Sequence, residues 1–115
     1  MECQVSLLGA ENRKNSRLYG KLGLVFLEME NFSEAEYYFE KSLESSRKFF
    51  GENHFETVFS YENLAKLYHT MFQIPRAFEL TEIAYNQSRI IRGENNPETE
   101  KFKKLLESLK VELQI

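Results

Sequence analysis

Residues 49–57 read FFGENHFET and residues 91–99 read IRGENNPET. Gly93 stands 42 residues after Gly51. Carried outward without a gap, that offset sets Tyr19 on Tyr61, Leu22 on Leu64, Met29 on Met71, Ala35 on Ala77, Glu40 on Glu82 and Ser46-Arg47 on Ser88-Arg89. A constant offset over such a span marks an internal repeat. Carried backwards, it sets Leu7–Asn12 under Phe49–His54 as a worn copy of the same junction, so the chain is expected to begin inside a repeat.

Each junction punctuates helices. Gly51 and Gly93 read as C-terminal stops, since glycine adopts the left-handed backbone that closes a helix without steric cost. Asn53 or His54 is expected to cap the helix that follows, and Asn96-Pro97-Glu98 has the favoured order of cap, proline and acid. Upstream, Asn15 or Ser16 is expected to cap a helix in which Leu18, Leu22, Val25, Phe26 and Met29 recur at three- and four-residue steps. The pattern breaks near Asn31, and Ser33-Glu34-Ala35-Glu36 has capping-box spacing for a second helix that runs to about Phe50.

The copy 42 residues on carries Val58, Tyr61, Leu64, Ala65, Leu67, Tyr68 and Met71 in its first helix. Pro75 falls in the first turn of its second helix, where a missing N–H costs nothing; Ala77, Leu80, Ile83, Ala84, Tyr85 and Ile90 are that helix's expected buried positions. Phe102, Leu105, Leu106, Leu109 and Leu113 stripe a last helix, expected to close the array. Nothing alternates with a strand period. The expected division is 1–15 as the end of a preceding repeat with a helical stub, 16–57 and 58–99 as two full repeats, and 100–115 as the closing helix.

At 115 residues the chain fits one domain with a real core. A net charge of −3 supplies no basic field for phosphates, so nucleic acid is not an expected partner. The longest apolar run, Leu22–Leu27, falls far short of the ~20 residues of a bilayer helix, so no membrane insertion is expected. The amino terminus lacks the basic n-region of a secretory signal, which makes the cytoplasm the expected location. Cys3 is the sole cysteine and forms no internal disulfide. His54 and His69 stand apart from any cluster with metal-ligand spacing, and no phosphate-binding loop or nucleophile elbow occurs. No metal, no cofactor and no catalytic set is expected; the chain is not read as an enzyme.

Tyr19-x-x-Leu22-Gly23-x-x-Phe26 followed by Ala35-x-x-x-Phe39 resembles the tetratricopeptide repeat, with aromatic substitutions at its first and fourth marks. The second copy, Tyr61-x-x-Leu64-Ala65-x-x-Tyr68 then Ala77, keeps the form with Thr81 in place of Phe39. HEAT and armadillo units have similar periods but lack this spacing. The family's usual repeat has 34 residues, so a 42-residue period adds roughly one turn per helix. With its Gly-Glu-Asn-x-x-Glu-Thr junction the chain is similar to the kinesin-light-chain class of these repeats. In the third copy Lys103, Glu107 and Lys110 stand at the aromatic, small and aromatic marks. The resemblance implies an all-α, right-handed solenoid of helical hairpins.

On the first helix of each hairpin, Arg17, Lys21, Leu24 and Glu28 share one face; 42 residues on stand Phe59, Asn63, Lys66 and Thr70, and then Lys101, Leu105 and Ser108. Stacked hairpins turn this face inward, so Arg17, Lys21, Leu24, Phe59, Asn63, Lys66 and Lys101 are the expected peptide-binding residues of a concave groove. By the resemblance, Asn63 matches the family's groove asparagine, whose amide binds peptide backbone. The four cations outnumber Glu28 and Glu62, which implies a protein or peptide ligand with some acidic character. The work expected of the chain is protein binding as an adaptor or scaffold. Two other readings remain open: the repeat end of a larger enzyme or ubiquitin-ligase receptor, and a structural element that forms a homo-oligomer through its open amino-terminal face.

Overall fold

The computed structural model describes residues 13–113; the expected helical stub and Cys3 lie outside the described residues. Within them run α1 (Arg13–Glu28), α2 (Phe32–Phe50), α3 (Phe55–Thr70), α4 (Ile74–Arg92) and α5 (Pro97–Leu113), with no strand. Both bounds of α1 and of α2 recur 42 residues on in α3 and α4, and α5 starts 42 residues after α3. The offset read from two junctions is therefore the repeat of the structure itself.

Local chemistry explains the ends. Gly51 and Gly93 close α2 and α4 at φ 88° and 93° with ψ near extended, a region that only glycine occupies without strain. Inside each hairpin the turn is made by a non-glycine residue. Glu30 and Phe72, 42 residues apart, both have φ 63°. At each, two backbone bonds close a Schellman motif: Asn31 N–H donates to Phe26 C=O (2.8 Å) and Glu30 N–H to Leu27 C=O (3.0 Å), with Gln73 to Tyr68 and Phe72 to His69 as the second copy.

Two of the expected caps move. Ser33 lies inside the first turn of α2, because Asn31 is the cap residue and makes no side-chain bond there. Ser16 lies inside α1, which is already helical from Arg13. The other caps stand: Glu56 N–H donates to His54 Nδ1 (3.0 Å), and Glu98 N–H to Asn96 Oδ1 (2.9 Å).

The rest of the junction motif is tertiary glue. Glu52 accepts from Gln87 Nε2 (2.8 Å) and Tyr61 Oη (3.3 Å) and pairs with Arg47, while its counterpart Glu94 pairs with Arg89 at 3.3 Å. Thr57 and Thr99 are buried; the first donates to Gly51 C=O (2.6 Å) and the second shares a hydrogen bond with Ser88 (2.8 Å). Every repeated letter thus has a physical task except Asn53 and Asn95, which are exposed.

The main core joins Ala35, Phe39, Leu64, Leu67, Tyr68, Ala77 and Leu109 from α2, α3, α4 and α5; a second cluster holds Val58, Tyr61, Ala84 and Phe102. Gly23 packs beneath Phe39, and a Cβ on that glycine would fall on the ring. At the equivalent positions the second hairpin carries Ala65 and Thr81, both buried and lining one small hollow, trading ring for methyl, and Thr81 Oγ1 donates to Ala77 C=O at 2.8 Å. Ile83 and Ile90, expected to be buried, are exposed, as are Leu105 and Leu113 of the last helix's apolar stripe, so these stripes are wider than the packed strip. The resulting body is a slab of 52 × 33 × 17 Å.

Between α1, α2 and α3 runs a seam of buried serines. Ser16 and Ser46 bond at 2.5 Å, Ser42 and Ser60 at 3.1 Å, Ser46 and Ser60 at 3.0 Å, and Ser42 donates to Ser16 C=O at 2.9 Å. Short side chains let three helices approach closely, and mutual bonding removes the penalty of burying hydroxyls.

Candidate functional site

The first helices of the hairpins, α1 and α3, with α5 beside them, frame two clefts. One, of about 480 Å³, is lined by Arg17, Lys21 and Leu24 of α1 and Phe55, Glu56 and Phe59 of α3. The other, of about 300 Å³, lies between α3 and α5 and includes Phe55, Val58, Phe59, Glu62, Lys101 and Phe102. Phe55 and Phe59 form the wall common to both and keep 51% and 45% of their surface in solvent. Two phenylalanines one turn apart, half exposed on a helix whose other positions are mostly buried, make an apolar ridge; Arg92 of α4 lies over the Phe55 ring at 5.0 Å, and the Phe59 ring has no ring or cation contact of that kind among the described residues.

The clefts' cations differ in availability. Arg17 reaches Glu56 Oε2 from Nη2 at 2.8 Å and from Nε at 2.9 Å, and this hydrogen bond with its charge raises the guanidinium pKa. Lys101 bridges Glu62 (2.9 Å) and Glu98 (3.2 Å). Partial burial works to lower the Lys101 pKa, but the two carboxylates outweigh it and leave it raised. Lys21 and Lys66 are exposed and form no ion pair among the described residues. Two cations, not four, are therefore free to meet a ligand's negative charge. Lys66 sits farther along α3, where a small hollow of about 90 Å³ also touches His69 and Leu105.

Asn63 is not in the groove. It is 1% exposed, Gly20 of α1 packs against its amide, and neither its Nδ2 nor its Oδ1 has a hydrogen-bond partner. Around Gly20, α1 lies over the position that the repeat frame gives to Lys21 in the first hairpin and Leu105 in the last helix. Of the seven expected residues, Arg17, Lys21, Leu24, Phe59 and Lys101 meet at the clefts, Lys66 borders them, and Asn63 is underneath.

A larger hollow of about 800 Å³ opens between α2 and α4, floored by Leu43, Leu64, Tyr68 and Leu80 and rimmed by Glu40, Lys48, Arg76 and Glu79. Its lining comes from α2, α3 and α4 together, so no single helical period in the sequence marks it. Several of its polar groups are already engaged. Tyr68 donates to Glu36 at 2.6 Å, Arg76 lies over the Tyr68 ring at 4.8 Å, and Arg47 pairs with Glu52. Burial, then the Glu36 bond, pushes the Tyr68 pKa up to about 12. Among the described residues no group of three or more His, Cys, Asp or Glu side chains could hold a metal ion, and no helix is long and apolar enough to cross a membrane.

The tetratricopeptide repeat model matches residues 14–90, both hairpins almost whole. The chain belongs to the tetratricopeptide repeat family. Repeats of this family mediate protein–protein interaction and are typically non-enzymatic. A crystal structure of BtubC (BKLC) from P. vanneervenii superposes with a TM-score of 0.75 at 23% identity, covering 86% of this chain and 40% of that one. The likeness is one of fold, and this tetratricopeptide chain spans less than half the length of that neighbour. No curated protein matches the sequence.

Proposed function

We propose that this tetratricopeptide chain serves as an adaptor or scaffold that holds a peptide segment of a partner protein along the clefts between α1, α3 and α5. The observation that carries the reading is the Phe55–Phe59 ridge, half in solvent and shared by both clefts. An extended segment would rest an apolar or aromatic side chain in each cleft, on either side of the ridge, with a carboxylate toward Lys21 or Lys66. Apolar contact would supply most of the affinity, since Arg17 and Lys101 are already neutralised within the fold.

The test is a random-peptide display selection on the full chain, followed by fluorescence-anisotropy titration of the enriched peptides. Phe59→Ser should weaken binding by about tenfold or more, as loss of a central aromatic contact does. Lys66→Glu should weaken peptides that carry an acid and spare those that do not. Charge reversal on the rim of the α2–α4 hollow, Lys48→Glu with Glu79→Lys, should leave affinity within about twofold. Loss of binding in the rim variant, with Phe59→Ser unaffected, would move the site to that hollow.

A further inference from the structure

Leu18, Leu22, Val25 and Met29 of α1 are exposed. They recur at steps of four, three and four residues, the spacing of a coiled-coil seam. In the second hairpin the same register, Ser60, Leu64, Leu67 and Met71, packs against α2 of the hairpin before it. Among the described residues no helix takes that place on α1.

The two edges of the seam differ. One is closed by the hairpin itself, where Phe26 stacks on Tyr38 of α2 with ring centroids 5.5 Å apart. The other carries Lys21 and Glu28, one heptad apart, both exposed and neither in an ion pair with a described residue.

We propose that this face binds a second copy of the chain, the two α1 helices packing antiparallel about a two-fold axis between Leu22 and Val25. In that register Leu22 of each copy meets Val25 of the other, and Leu18 meets Met29. Each contact occurs twice, as an isologous interface requires. Antiparallel pairing also brings like edges together, so Lys21 of each copy faces Glu28 of the other, again twice. A parallel pair would set Lys21 beside Phe26 and match neither charge. The face is thus complementary to itself in one orientation only. With four apolar layers the contact lies at the small end of specific interfaces, the class of weak, reversible associations with dissociation constants on the order of micromolar and above. This surface is separate from the Phe55–Phe59 ridge, and Lys21 borders both.

Sedimentation velocity of the full chain without peptide, over a dilution series from about 1 to 300 µM within that range, tests the proposal. A reversible monomer–dimer equilibrium is expected. Lys21→Glu and Glu28→Lys should each raise the dissociation constant about tenfold by turning two attractions into two repulsions. Lys21→Glu combined with Glu28→Lys restores opposite charges and should return it to within about threefold of the parent. Val25→Glu should abolish the dimer while circular dichroism shows the helix content unchanged, since Val25 is half exposed in the monomer. A monomer at every concentration would overturn the proposal and give the face to another occupant, such as a preceding helix. Failure of the double charge exchange to rescue the single variants would overturn the antiparallel register. Neither result would bear on the peptide clefts.

Discussion

Leu22 and Leu64 are the same residue at the same position of two successive hairpins, yet 41% of the first is exposed and only 3% of the second. Val25 and Leu67, one turn on, differ more, at 52% and 0%. What separates them is the neighbour: α2 lies on the second pair, and no described helix lies on the first. In a stacked array a residue's energetic weight is set by the unit before it as much as by its own unit.

The comparison breaks most sharply with one substitution made twice. Leu64→Ala should cost about 2–5 kcal/mol, as removal of a buried leucine does, while Leu22→Ala should cost less than about 1. Urea melts at a concentration too low for self-association measure both. Equal losses would mean that the α1 face is as well packed as its copy in α3.

Next in size is the exchange of volume between hairpins. Gly23→Ala should destabilise the chain by about 1–3 kcal/mol, because the new methyl meets the Phe39 ring, despite alanine's better helix propensity. In a Phe39→Thr background, which copies the Ala65–Thr81 pair of the second hairpin, the same change should be neutral or stabilising. A double-mutant cycle by thermal melt reads the coupling, and additive effects would show that the two positions do not share one space.

The smallest expected effect has the opposite sign. Asn63 buries an amide with no partner, whereas the frame places Leu105 at the same point of α5. Asn63→Leu should stabilise the chain by about 1–2 kcal/mol through removal of an unsatisfied polar group. If the variant melts lower and its peptide affinity falls, the asparagine is serving the ligand and its burial is relieved on binding.

Much of the architecture was legible because its signals are local. A glycine at positive φ and an Asx or histidine cap act within a few residues of chain, so the junction around Gly51 announced the one around Gly93, and helix bounds followed at the same offset. Ser33 and Ser16 misled for the same reason. Each carries the local signature of a cap, but the Schellman turn at Glu30 and Asn31 already starts α2 one residue before Ser33, and three helices meeting at Ser16 use its hydroxyl elsewhere.

The candidate site divides along the same line. Helical periodicity put Arg17, Lys21 and Leu24 on one face of α1, and the 42-residue offset put Phe59 on the matching face of α3, since face membership depends only on residues per turn. Tertiary contact decided the rest. Arg17 and Lys101 are neutralised by Glu56 and Glu62, each from a helix 39 residues away in the chain, and Asn63 disappears beneath α1, packed against Gly20. The sequence by itself determined the repeat, its helices and which way each face turns, because those follow from short-range geometry. Which charges remain free, which asparagine is buried and which leucine stays in solvent were decided only by the packing of one hairpin on the next, where identical local sequence meets different neighbours.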